Sequence, residues 1–277
     1  MKQKRVLTIQ DYSCLGRCSL TVALPTLSAA GIEAVGLPTS VLSNHTVFPS
    51  WTWVDTLPSL MEAPKKWAGY NVSFDAIYTG YLATSQVKMA LELIHSFRKE
   101  KSLVFVDPAF ADAGELYAGF TPDHVKAMRL LMKEADFAKP NLTEACLLTD
   151  TPYPKEEPSE EFLFDLIQKV ACLGPKKVVL SGIVKEKKIG CLVLEEGKIS
   201  SFYEEAKRVA HGTGDLFSSA LLSAYLLGHP LFESAHLAAL YVSKALSYNE
   251  EDEVDGRIYG PEFEKALPSF MKSLGLC

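Results

Sequence analysis

Three scarcities in this sequence each remove a class of protein. No apolar run approaches the roughly 18 residues that a membrane-spanning helix needs, so no membrane partner is expected. The six cysteines (Cys14, Cys18, Cys146, Cys172, Cys191 and Cys277) are scattered without a CxxC pair, which suggests neither a disulfide framework nor zinc. Positive charge is in deficit, 28 Lys and Arg against 34 Asp and Glu. The formal net charge of −6 argues against electrostatic binding of nucleic acid. Internal repeats and low-complexity segments are missing. So are the GxxxxGK[ST] phosphate loop and the HRD and DFG motifs of protein kinases, which removes the common nucleotide-binding classes. The N-terminus passes from Met-Lys-Gln-Lys-Arg straight into the strand-like Val6-Leu7-Thr8-Ile9 with no long apolar leader, and a cytoplasmic location is expected.

What remains is an ordinary globular composition over 277 residues, 48% apolar and 22% charged, with ample material for a core. Strand-like segments at Val6–Ile9, Ile32–Leu37, Phe74–Tyr78, Leu103–Val106, Phe137–Ala138 and Lys177–Leu180 alternate with helical ones. Those helices are expected at Cys18–Ala30, Asp55–Trp67, Ser85–Glu100, Phe162–Leu173, Leu231–Asn249 and Pro261–Leu274, with further starts at Thr121-Pro122 and Thr143-Glu144. Glu195-Glu196-Gly197-Lys198 between two apolar runs reads as a hairpin, and the acidic run 250–255 as a solvated loop. Alternation of this kind implies an α/β fold, a mostly parallel sheet covered by helices on both faces, in one domain over 1–277. Thr39 to Val54 departs from the pattern. Its polar Ser43-Asn44-His45-Thr46, followed by Trp51 and Trp53, suggests an exposed flap, because His and Asn are unwelcome in a core.

The chain is organised around His211-Gly212-Thr213-Gly214-Asp215-Leu216-Phe217-Ser218-Ser219, a glycine-containing turn that opens an apolar helix. Unpaired N–H groups and the positive end of the dipole favour an anion at such a place. Gly212 and Gly214 let the backbone approach a phosphate closely. Asp215 has two readings, a helix cap or a general base beside the anion. Strand ends of a parallel sheet gather ligands, and polar residues cluster there: Asp11, Tyr81, Asp107, Asn141, Glu144 and Ser181. A phosphate-binding turn with a base suggests phosphoryl transfer, which needs charge neutralisation and in-line positioning. Asp107, Asp112 and Glu144 are the candidates for the magnesium side. Taken singly, Asp107 also reads as a turn residue before Pro108, and Glu144 as a first-turn carboxylate favoured by the dipole.

Gly212-Thr213-Gly214-Asp215, Val106-Asp107-Pro108 with Asp112, and Pro140-Asn141 followed by Glu144 resemble the signatures of the ribokinase-like superfamily. Ile9-Gln10, Leu42-Ser43-Asn44-His45-Thr46 and Thr79-Gly80-Tyr81 narrow the resemblance to its pyridoxal/pyridoxamine kinase branch, over about residues 7–245. The resemblance implies ATP-dependent phosphorylation of the 5′-hydroxymethyl group of a vitamin B6 vitamer. Asp215 would be the base and Gly212, Thr213 and Gly214 the anion hole. Asp107, Asp112 and Glu144 would act on the magnesium side, with Asn141 and Ser181 toward ATP. His45, Thr46 and Tyr81 would meet the pyridine ring. Mg2+, ATP as co-substrate, a monovalent cation such as K+ and a homodimer are implied with it.

Three residues depart from the family pattern. Asp11 stands where Ser is usual, and a carboxylate there can pair with a protonated pyridine nitrogen or an amine. Lys139 replaces Thr before Pro-Asn, either facing solvent or supplying positive charge to ATP phosphates. His211 precedes the anion hole, where a packed or exposed His is the simpler reading. The alternatives are a hydroxymethylpyrimidine kinase, whose ring and hydroxymethyl group are similar, and a non-catalytic vitamer-binding protein of the same fold.

Overall fold

Alternate residues of the central strands feed two different cores. Leu7, Ile9, Ile77, Val104, Val106, Ala138, Val178 and Leu180 pack into one. Val6, Ala76, Tyr78, Phe105, Phe137 and Val179 pack into the other. A period of two with both faces apolar is the mark of a sheet buried on both sides. The computed structural model describes residues 2–205, 210–249 and 258–276.

The strands are β1 (Arg5–Leu15), β2 (Glu33–Asn44), β3 (Trp53–Asp55), β4 (Ala76–Thr79), β5 (Leu103–Val106), β6 (Ala111–Asp112), β7 (Glu115–Leu116), β8 (Phe137–Ala138), β9 (Lys177–Lys185), β10 (Lys188–Glu195) and β11 (Lys198–Glu205). Nine of them form one sheet in the order β11-β10-β9-β8-β5-β4-β1-β2-β3, and β6 and β7 form a separate ribbon. The six strands from β2 to β9 run parallel. β3, β10 and β11 close the edges antiparallel. The expected hairpin turns at Glu196-Gly197, both in left-handed conformation.

One core takes α4 (Val87–Phe97), α5 (Pro122–Glu134), α6 (Leu142–Leu148) and α7 (Glu160–Ala171). The other takes α1 (Leu20–Ala29), α8 (Thr213–Leu226), α9 (Leu231–Leu246) and α10 (Phe263–Ser273). α8 is buried on every side from Leu216 through Ala224, as a helix pressed between sheet and neighbours must be. The expected helix over Asp55–Trp67 is broken into α2 (Leu57–Leu60) and α3 (Ala63–Trp67), because Pro58 and Pro64 each reset the backbone to the first turn of a helix. The acidic run 250–255 lies outside the described residues.

From β1 the chain passes to β2 on one side, then crosses to β4 on the other. Such a switch point opens a crevice beyond the carboxyl ends of the strands. β1 carries a bulge there: Gln10 pairs with Pro38 but Tyr12 with Val41, so Asp11 is re-aimed between them.

Candidate active site

The turn before α8 is built on Gly212, which caps the helix in left-handed conformation at φ 81°. Only glycine fits, because a Cβ would lie 1.9 Å from the Arg17 carbonyl oxygen. The first intrahelical bond runs from the Leu216 N–H to the Gly212 carbonyl at 3.1 Å, so the N–H groups of Thr213, Gly214 and Asp215 precede the ladder. Gly214 is exposed, which leaves this electropositive end open.

Asp215 stands in the first turn, its Oδ2 accepting the Ser19 N–H at 2.9 Å. Ser19 holds φ 46°, a rare conformation for a residue with a side chain, and that strain turns its N–H toward the carboxylate. Burial, with the neighbouring charge of Asp107, pushes the Asp215 carboxyl up to about 7, against the pull of the Ser19 N–H. A carboxyl poised near neutrality beside an open anion site can take a proton from a hydroxyl at physiological pH.

Asp107 directly follows β5 and is buried. Its Oδ2 accepts the Ser218 hydroxyl at 2.6 Å and faces Lys139 Nζ at 3.0 Å. Lys139, at the end of β8, is buried too, which decides against a solvent-facing lysine. Its ammonium lies 3.5 Å from where a Gly214 Cβ would stand, so the ion pair floors the turn.

Asn141 and Glu144 form a capping box on α6. The Asn141 side chain accepts the Glu144 N–H at 2.8 Å, and Glu144 accepts the Asn141 N–H at 2.8 Å. The other Glu144 oxygen takes the Phe110 N–H at 3.0 Å, and Asn141 Nδ2 donates to the Ala111 carbonyl at 2.7 Å. Asn141 is bridged to Ser181, whose N–H bonds the Pro140 carbonyl at 3.0 Å. Asp112 does not join this group. It is exposed on the β6–β7 ribbon, its carboxylate turned to its neighbour's N–H (Ala113) at 2.8 Å. Among the described residues no three His, Cys, Asp or Glu side chains converge as a metal-holding cluster; Asp107 and Glu144 are buried and Asp112 is exposed.

Asp11, whose charge also bears on Asp215, is buried and accepts the Ser13 hydroxyl at 3.0 Å, with burial raising its pKa. Tyr81 follows the end of β4 and stacks on Phe120 at 5.5 Å, and Phe120 lies flat on His124 at 3.8 Å and 8°. Burial and the nearby Asp11 charge push the Tyr81 phenol up to about 12.

The flap is a continuation of the sheet, β2 running out to Asn44 and β3 returning. Contrary to expectation, His45 is buried. Its Nε2 donates to the Ile258 carbonyl at 2.7 Å and its Nδ1 accepts the Val47 N–H at 3.3 Å, which removes the penalty for burying an imidazole. His211 packs on it at 4.2 Å, and burial with the neighbouring imidazole drives His211 down to about 4. Thr46, at the tip, is exposed.

Four participants escaped sequence reasoning: Ser19, Ser218, Tyr78 and Phe120. Ser218 was findable, lying three residues beyond Asp215 and hence on the same helix face. The Tyr78 hydroxyl is buried under Asp107 and Asp215 without a close hydrogen-bond partner. Ser19 and Phe120 carry no local signal.

Sheet, switch point, open helix turn and flap together define a kinase of the ribokinase-like class. The profile of the phosphomethylpyrimidine kinase family matches residues 23–259, and the chain belongs to that family. Its relatives divide between two names. A hydroxymethylpyrimidine/phosphomethylpyrimidine kinase of Staphylococcus aureus is 27% identical, over 94% of this chain and 93% of its own. A Bacteroides thetaiotaomicron chain provisionally assigned as a phosphomethylpyrimidine kinase, in a crystal form with pyridoxal, superposes with a TM-score of 0.91 at 32% identity, over 97% and 96%. The pyridoxal kinase of Lactobacillus plantarum superposes at 0.86 with 28% identity, over 97% of each chain.

Proposed function

We propose that this kinase transfers the γ-phosphoryl group of ATP to the 5′-hydroxymethyl group of a vitamin B6 vitamer. The observation that carries the reading is Asp215, tuned to about 7 and held by the Ser19 N–H beside the open turn Gly212–Gly214. The hydroxyl gives its proton to Asp215 as its oxygen forms a bond to the γ-phosphorus, and the bond from that phosphorus to the bridging oxygen breaks to release ADP. The N–H groups of the turn take up charge on the transferred group. Asn141 and Ser181 lie on the nucleotide side, and Lys139 stands below the turn.

The stacked Tyr81 and Phe120 suit a flat heteroaromatic ring, and Asp11 suits its protonated nitrogen or an amine. Both His45 nitrogens are engaged, so His45 serves by anchoring the flap, and Thr46 is the flap residue free to reach the ring. Glu144 has both oxygens on N–H groups and Asp107 has one on Lys139 and Ser218, a donor set that fits magnesium held through water and phosphate oxygens rather than directly. With ATP, magnesium supplies neutralisation of the phosphate charge.

The family's other name favours a second substrate, hydroxymethylpyrimidine. Magnesium-ATP assays of pyridoxal, pyridoxine, pyridoxamine and hydroxymethylpyrimidine, beside Asp215→Asn, decide between them. Turnover of a vitamer that the variant loses supports the proposal. Preference for the pyrimidine replaces the substrate, and vitamer binding without ADP release removes the kinase role.

A further inference from the structure

Lys139 lies in a strongly acidic setting. Its ammonium pairs with Asp107 at 3.0 Å, with Glu144 and Asp215 among the charges around it. A triphosphate arriving at this face meets the same carboxylates. A helix N-terminus offers only about half a unit of positive charge, too little to offset the Asp107 carboxylate together with Asp215 once that is ionised. The ammonium is therefore a full positive charge that the chain itself sets beside the turn.

Its position fits that role. The pair with Asp107 is closed to water, the side chains being 5% and 3% exposed, yet Nζ lies 3.5 Å from the site of a Cβ on the exposed Gly214. A lysine kept solely to neutralise Asp107 has no need to reach the one exposed glycine of the motif. An ammonium has three N–H donors. One can stay on Asp107, which Ser218 also holds, while the others turn to a phosphoryl oxygen. Lysine, a compact charge with freely rotating donors, allows this change of partner better than the planar fork of arginine.

We propose that Lys139 is a catalytic residue: its ammonium, held on Asp107 at rest, contacts the transferred phosphoryl group from beneath Gly214 and supplies the cationic part of the anion hole. The proposal rests on the kinase reading above, and its test separates the two. In Lys139→Met, kcat is expected to fall about 10²–10³-fold, the loss typical of removing one oxyanion-stabilising donor. Vitamer affinity, read by absorbance or fluorescence titration, is expected to stay within about twofold. Lys139→Ala is expected to regain at least about tenfold in kcat with added ethylammonium, which a purely structural lysine would not show. A folded Lys139→Met with kcat within about threefold of wild type overturns the proposal.

If the wild type turns over none of the four acceptors, the kinase reading fails, and Lys139 is read instead by the affinity for ADP with aluminium fluoride, a mimic of the transferred group. Tighter binding by wild type than by Lys139→Met supports the proposal, and equal binding overturns it. Should the single variant not fold because Asp107 is left buried and unpaired, the double variant Lys139→Met/Asp107→Asn removes both charges. Weaker binding of the mimic by the double variant than by Asp107→Asn alone supports the proposal, and equal affinity of the two overturns it.

Discussion

The backbone N–H of Ser19 holds the carboxylate of Asp215 at 2.9 Å across 196 residues of sequence. Two opposed influences meet on that oxygen, burial favouring the neutral acid and the N–H favouring the anion, and the result is a carboxyl near 7. With Asp215 as base, kcat/KM is expected to rise about tenfold per pH unit below that value and to level off above it. Asp215→Asn is expected to lose about 10²–10⁴-fold and the pH dependence with it. A wild-type profile flat from pH 5 to 9 would rule out this base.

The two glycines of the turn are expected to fail differently. In Gly212→Ala the left-handed φ alone costs about 1–3 kcal/mol, and the Arg17 carbonyl has no room for a methyl group. The melting temperature is expected to drop by roughly 5 °C or more. In Gly214→Ala the new methyl meets only Lys139 Nζ, at ordinary contact distance. Melting is then expected to be unchanged or slightly raised, since alanine is the better helix former by up to about 1 kcal/mol. The ATP-dependent rate falls about tenfold or more because the anion site is obstructed. Equal melting temperatures for the two variants would contradict this account.

His124 is buried with Nε2 lacking a partner, and burial drives its pKa down to about 4. The unfolded imidazole takes a proton below about 6.5, while the folded one stays neutral until about 4. Acid therefore favours the unfolded chain across that window, by an amount on the order of 3 kcal/mol. His124→Phe keeps the stack on Phe120 and removes the titration. Between pH 7.5 and 4.5 the variant is expected to lose less stability in urea than wild type does. Parallel losses would refute the assignment.

Trp53 and Val54 occupy opposite faces of β3, and both are exposed, with Trp51 beside them. An edge strand with neither face covered is an unfinished surface. We expect a homodimer that covers it: the wild type sediments as a dimer and Trp53→Glu as a monomer. A wild type that is monomeric at every concentration counts against it.

Local features of the fold were legible in the sequence, and contacts across the chain were not. The turn Gly212–Asp215 and the hairpin at Glu196-Gly197 announce themselves because glycine and dipole act over four or five residues. Asp107 is visible as the residue where β5 ends. The same reading cannot show that Lys139 pairs with Asp107, because only the parallel pairing of β5 with β8 brings them together. It mistook His45 for a surface residue because the carbonyl that satisfies it belongs to Ile258, 213 residues away. Asp112 shares the Asp-Pro neighbourhood in sequence, but the β6–β7 ribbon carries it out to solvent. The broken helix at Pro58 and Pro64 was within reach of local rules.

Arg17 adds a consequence that concerns protein synthesis. Its carbonyl seats Gly212, its N–H bonds the Tyr259 carbonyl at 2.9 Å, and its guanidinium pairs with Glu264 at 2.9 Å. The turn proposed to receive phosphate is thus clasped by a residue made well before it and, through that residue, by residues made after it. A ribosome-bound chain stalled before Tyr259 has emerged holds every residue assigned to the reaction, yet it lacks the clasp that keeps them in register. Order in the turn is therefore expected to come only after the segment beyond it has been made.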